Sequence, residues 1–302
     1  MKRSKKTSAK TYFKSGNVKD RLGDYHGSIE AYTKAIRLKP DFAEAYGSRG
    51  LAKALLGQHA AAVADFDKAI ELKPEEIGPY VNRGTARSAL GQYLAAIADY
   101  DEAIRLEPEL APAYVNRGVL KDTLGEQLAA IEDFNLALRI APEFAHAYLN
   151  RGVAKRKLGR YTAAIADYDR AILLDPEEGK AFDNRGVAKA ILGKHAAALS
   201  DFDRAIELNP HDAEAHYNRG ELKYDMGEYR AALSDFDRAI ELKPHFVLAY
   251  LGRGLMKALL GRVSEAKQEL HTALQLAKQD GDEDNIERIE EVLRQLDAEA
   301  AS

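Results

Sequence analysis

The stretch Ala145–Glu178, AHAYLNRGVAKRKLGRYTAAIADYDRAILLDPEE, decides the fold. It holds two short helical patterns, two glycines and one proline, and close copies lie on both sides at intervals of 34 residues. The proline marks the period: Pro40, Pro74, Pro108, Pro142, Pro176, Pro210 and Pro244. A fixed period of this length is the signature of a solenoid, whose units bury a continuous core only by stacking on one another. Eight units follow in this phase: 9–42, 43–76, 77–110, 111–144, 145–178, 179–212, 213–246 and 247–280. Residues 1–8 precede them as a basic flexible tail, and residues 281–302 follow as a capping helix and acidic tail.

Counting positions 1 to 34 within a unit lets the copies be compared with one another. Position 8 is glycine in every unit, from Gly16 to Gly254, in the middle of the first helical pattern. Glycine there costs about 1 kcal/mol relative to alanine, so another helix is expected to approach closely. Position 27 is alanine in all eight units and position 20 in seven, which makes these small residues the expected partners. Position 15 is also always glycine, from Gly23 to Gly261, where a left-handed residue ends the first helix. Apolar residues at positions 21, 24, 28 and 30 put one face of the second helix into the core.

Charge follows the repeat as well. Position 7 is arginine in seven units, Arg49 to Arg253, and position 11 is Lys or Arg in all eight. Position 23 is acidic in the same seven units, from Asp65 to Glu269, whereas the first unit has Ser15 and Ala31 and so lacks both partners together. This co-occurrence predicts an ion pair joining the two helices of each later unit, such as Arg151 with Asp167. The pairing neutralises the basic stripe, and with a net charge of -4 it argues against nucleic-acid binding.

Composition excludes further classes. There is no cysteine, hence no disulfide and no thiolate chemistry. No run of about 18 apolar residues is present to span a membrane. The basic start is not followed by an apolar h-region, so a cytoplasmic location is expected, or a periplasmic one if a signal has been removed. The repeated D-x-D of ADYDEA and SDFDRA places its carboxylates on different faces of a helix and does not make a metal site. The eight histidines sit at scattered repeat positions, and no triad or phosphate-binding loop stands out. The chain is expected to be no enzyme and to need no cofactor.

An aromatic at 4, small residues at 8, 20 and 27, an aromatic at 24 and proline at 32 resemble the tetratricopeptide repeat (TPR) family over residues 9–280. The resemblance implies an all-α fold, a right-handed superhelical solenoid of helix–turn–helix repeats whose first helices line a concave groove. It implies a protein or peptide partner held in that groove. Position 6 is Asn82, Asn116, Asn150, Asn184 and Asn218 in five consecutive units, similar to the asparagine ladder with which some TPR proteins grip an extended peptide. An asparagine amide offers a donor and an acceptor to any peptide backbone. Val81, Val115 and Leu149 at position 5, with Val119, Val153 and Val187 at position 9, supply apolar walls. Specificity is expected where groove positions differ, at Arg156, Lys157, Asp183, Tyr217, Glu221 and Tyr224. The carboxylate clamp for chaperone C-termini needs Lys at 5, which no unit has, so that partner is disfavoured. A structural, self-assembling solenoid acting through its ends or convex face is the alternative function. In the last unit Lys278 replaces the proline and Leu270 the aromatic, and a final helix near 284–298 with Ile286, Ile289, Val292, Leu293 and Leu296 on one face is expected to cap the array.

Overall fold

A computed structural model describes residues 8–301, with side chains through 298. Residues 1–7 of the expected basic tail lie outside the described residues, and Ser8 caps the first helix by accepting from the Thr11 amide at 3.2 Å. The described residues form seventeen α-helices and no strand. The first helices of the pairs are α1 (Ala9–Arg21), α3 (Ala43–Leu55), α5 (Ile77–Ala89), α7 (Ala111–Thr123), α9 (Ala145–Lys157), α11 (Gly179–Ile191), α13 (Ala213–Asp225) and α15 (Val247–Leu259). The second helices are α2 (Tyr25–Leu38), α4 (His59–Leu72), α6 (Tyr93–Leu106), α8 (Gln127–Ile140), α10 (Tyr161–Leu174), α12 (His195–Leu208), α14 (Tyr229–Leu242) and α16 (Val263–Asp280), followed by α17 (Glu283–Ala301).

Two compact units divide the chain. The first, Met1–Ala154, holds α1 to α8 and most of α9; the second, Lys155–Ser302, holds the end of α9 and α10 to α17. Within each unit a helix packs on the next one in sequence. First helices of neighbouring pairs also meet: α1 with α3, α3 with α5 and α5 with α7 in the first unit, α11 with α13 and α13 with α15 in the second. Second helices of neighbouring pairs make no such contact. Each stack therefore closes toward its first helices, which present the inner face.

The local reasons are legible at α3. Gly57 follows the helix with φ of 73°, in the left-handed region that glycine enters without strain. Its N–H donates to the Ala54 carbonyl at 2.9 Å and that of Gln58 to the Lys53 carbonyl at 2.9 Å, a Schellman closure that satisfies two otherwise orphaned carbonyls. The second helices stop two residues before the period's proline, as at Leu72 before Pro74.

The core is built from alanines and one ring per pair. Ala62, Ala96, Ala130, Ala198 and Ala232 at position 20 are fully buried, and so are Phe66, Phe134 and Phe236 at position 24. The mid-helix glycine faces that ring and not the expected alanines. A Cβ built on Gly50 would lie 2.8 Å from Phe66 Cε1, and one on Gly118 would lie 2.8 Å from Phe134 Cε1. The glycine is thus the seat for the edge of a buried aromatic (in the last pair, for Leu270).

In the second unit α17 lays Ile289, Leu293 and Leu296 against a buried group containing Val247, Leu251, Leu270 and Ala273. Gly281, at φ of 69°, turns the chain into it.

Candidate functional site

The charged stripe is consumed inside the stacks. In the second pair Arg49 donates through Nη2 to Asp65 Oδ1 at 2.6 Å and through Nε to Oδ2 at 2.9 Å, while Lys53 Nζ lies 2.7 Å from Asp65 Oδ2. The same fork joins Arg117 to Asp133 and Arg185 to Asp201, with Lys121 and Lys189 completing them. Asp133 is only 2 % exposed, so three charges share a nearly dry site with every carboxylate oxygen paired. The remaining guanidinium nitrogen reaches back to the preceding pair: Arg83 Nη1 to Asp67 at 2.6 Å, Arg117 to Asp101 at 2.5 Å, Arg185 to Asp169 at 2.6 Å and Arg219 to Asp203 at 2.7 Å. Where position 25 is not acidic, a neutral oxygen takes its place, Asn135 for Arg151 and Thr33 for Arg49. A D-x-D such as Asp99 with Asp101 therefore serves two arginines, Arg83 in its own pair and Arg117 in the next. Among the described residues no three His, Asp or Glu side chains come together as metal ligands.

With the arginines so engaged, the expected inner face is left to the other side chains of the first helices. In the first unit Asn82, Asn116 and Asn150 are half-buried on it. Asn116 lies beside the Tyr100 hydroxyl. Asn150 Nδ2 donates to the His146 carbonyl of its own helix at 2.8 Å, which leaves its Oδ1 as an acceptor. Val153 is half-buried, whereas Val115 and Leu149 are buried at 3 % and 6 % exposure and belong to the packing beneath the face. At position 5 the second pair has Gly47, and a cavity of about 250 Å³ opens there between α3 and α5. Gly47, Leu51, Ser48, Gly78 and Asn82 line it, with Ala69 of α4 beneath and the Lys73–Glu44 ion pair, 2.7 Å, at its rim.

In the second unit Arg156 is half-buried, and Lys157 and Tyr224 are exposed. Asn184 Nδ2 donates to the Lys180 carbonyl at 2.8 Å. Asn218 instead donates to both oxygens of Asp183, at 3.0 and 3.1 Å. Burial pushes the Asp183 carboxyl up to about 6, and the Asn218 amide and the Arg156 charge only partly offset it. Glu221 is likewise raised by burial, against the pull of Arg288 from α17. Tyr217 packs its ring 5.0 Å from Phe246 and 5.8 Å from Phe236, and burial raises its hydroxyl as well. Tyr217, Asn218 and Glu221 line a second cavity with Val187, Ile191 and Asp225, of about 230 Å³.

Three features escaped sequence reasoning. The aspartate at position 25 pairs outside its own unit, although its polar character in each unit that precedes an arginine was a signal. Glycine at two inner-face positions, Gly47 and Gly78, marks the first cavity. Asp183 and Asn218 stand 35 residues apart, one period and one residue, on adjacent first helices.

Family models described as tetratricopeptide repeat match residues 13–77, 81–143, 145–178 and 213–246, and one described as TPR repeat matches 186–227. No curated protein matches the chain. Among solved structures, a tetratricopeptide repeat protein from Parabacteroides merdae superposes with a TM-score of 0.67 at 20% identity, over 82% of this chain and 98% of that one. The pilF protein of Pseudomonas aeruginosa does so at 0.61 and 21% identity, over 71% of this chain and 96% of its own. MamA gives a TM-score of 0.51 at 28% identity, over 55% of this chain and 96% of its own. No helix among the described residues is long and apolar enough to cross a membrane.

Proposed function

The chain belongs to the tetratricopeptide repeat family, whose members generally mediate protein–protein interactions, and from that premise we propose that it is a non-catalytic scaffold holding an extended protein segment along its first helices. The eight repeats are those of 9–42 to 247–280, with α17 as the terminal cap. One observation carries the reading: position 6 keeps a half-buried amide on the inner face in five successive repeats, while the neighbouring charges are spent on internal pairs. Half-buried amides spaced one per repeat suit the backbone of an extended chain, and the variable residues around them suit its side chains.

A second observation supports it. Asp183 is held with a raised pKa at a position that is apolar in most other repeats, which costs stability at neutral pH. Such a cost fits a residue retained for binding.

Selection of a random-peptide phage library on the full chain, followed by fluorescence anisotropy of a selected peptide, tests the proposal. Asn82→Ala with Asn116→Ala is expected to weaken binding about tenfold, the loss of one or two net hydrogen bonds. Failure to select any peptide, or unchanged affinity in a folded double variant, would overturn it.

A further inference from the structure

The cavity between α3 and α5 has no packing explanation. In the other repeats position 5 carries a side chain, such as Val81 or Val115. Here it is Gly47, and a Cβ built on Gly47 or on the facing Gly78 meets nothing within 4 Å. Neither glycine has a positive φ. The two glycines therefore serve no turn and no close approach. Their effect is to leave a hole of about 250 Å³ on the inner face, larger than the roughly 150 Å³ that suffices for a dry apolar cavity to take up benzene.

The lining selects the occupant. Ala43, Ala69, Pro79 and the half-exposed Leu51 give apolar walls. The rim holds one cation between two carboxylates, Lys73 Nζ lying 2.7 Å from Glu44 and 3.2 Å from Glu76, so its net charge of −1 repels an anionic guest, and the apolar walls offer a cationic one no partner inside the hole. Asn82 stands at the edge, and among the described residues its amide makes no side-chain hydrogen bond, unlike those of Asn150, Asn184 and Asn218. A free amide beside an apolar hole is the arrangement needed to hold a peptide backbone while its side chain is buried.

We infer that this cavity is the anchor subsite of the scaffold and receives one large uncharged side chain, of leucine to phenylalanine size, from the bound segment, with Asn82 paired to the backbone of that same residue. The inference rests on the peptide-capture reading and names the residue class that reading leaves open.

The test uses capped amino acids as probes. N-acetyl-leucinamide and N-acetyl-phenylalaninamide are titrated into the full chain labelled with nitrogen-15, beside N-acetyl-lysinamide and N-acetyl-glutamate amide. The apolar probes are expected to shift the Gly47 and Gly78 amide signals saturably, and the charged ones to leave them in place. Gly47→Val, which puts into the second repeat the side chain found at 81 and 115, is expected to abolish the shift of the Gly78 signal, while signals away from the cavity keep their positions. Equal shifts from charged probes, no shift from any, or shifts that survive Gly47→Val would overturn the inference. A selected peptide separates the two readings. If Gly47→Val leaves its affinity unchanged while the asparagine double variant loses it, the scaffold stands and the anchor falls. If neither variant matters, both fall.

Discussion

Asp133 accepts from two cations of its own helix pair, whereas Asp101, half-exposed, takes only the outer nitrogen of Arg117. Removing a nearly dry carboxylate strands Lys121 and leaves Arg117 with Asp101 alone, so Asp133→Ala is expected to cost on the order of 3 kcal/mol. Asp101→Ala, screened by water, should cost about 1 kcal/mol or less. Urea-denaturation midpoints compare the two, and equal effects would refute the ranking. Asp183 gives the opposite sign. Its folded pKa is raised from 3.8 to about 6 by burial, so the native state binds the extra proton between those values. Stability therefore falls as pH rises through that window, and the cost is complete above about 6. Asp183→Asn is expected to raise stability at pH ~7.5 by an amount on the order of 2 kcal/mol, and the difference from the parent should vanish near pH ~3.5. A pH-independent difference in thermal or urea melts would contradict this. The pairing of position 7 with position 23 was legible because both partners are absent together from the first repeat. The link to position 25 was not, since its geometry lies between repeats. The amides at position 6 were legible as a recurring residue on the first helices. Which of them are already spent on His146, Lys180 or Asp183 depends on rotamers that no spacing reveals.

The glycines show how far a pattern goes at the scale of the helix. Their place in mid-helix announced a close approach, but the 3.6-residue period cannot say which residue of the facing helix fills it. The structure puts the aromatic ring there. Gly118→Ala is expected to cost about 1–3 kcal/mol through overpacking against Phe134. Combined with Phe134→Leu, which imitates the Gly254–Leu270 pairing, the loss should be smaller than the sum of the single losses. A double-mutant cycle by chemical denaturation measures the coupling, and strict additivity would place the glycine's role elsewhere. Leu149 and Val115 carry a related lesson. Their apolar character was read as groove wall, yet both side chains are covered by their neighbours, whereas Val81 at the same position is half-buried. Where that position shrinks to Gly47, the inner face gains depth.

For the molecule as a whole, the repeat count and helix type followed from the period, and the terminal helix from the single apolar face of Ile286, Ile289, Val292, Leu293 and Leu296. The final second helix runs to Asp280, and α17 spans Glu283–Ala301 where a helix near 284–298 was expected. Truncation after Asp282 would uncover Leu251, Leu270, Ala273 and Ala277 where Ile289, Leu293 and Leu296 now cover them. The shortened chain is expected to bind an apolar dye and to aggregate with rising concentration, as seen by dye fluorescence and light scattering. A monodisperse, dye-negative product would show that the cap is dispensable. The backward reach of the position-7 arginine has a consequence for how such a chain can grow. Each repeat from the second to the seventh carries the arginine that answers the acceptor behind it and the acceptor that awaits the arginine ahead. A gene duplication of one whole period, inserted in phase, would thus arrive with both halves of its seams already written. A duplication starting at any other point still restores the same pairs so long as its length is a multiple of 34 residues. Lengthening by recombination within the second to seventh repeats then hands every new arginine a polar acceptor behind it, and shortening there by one period does the same.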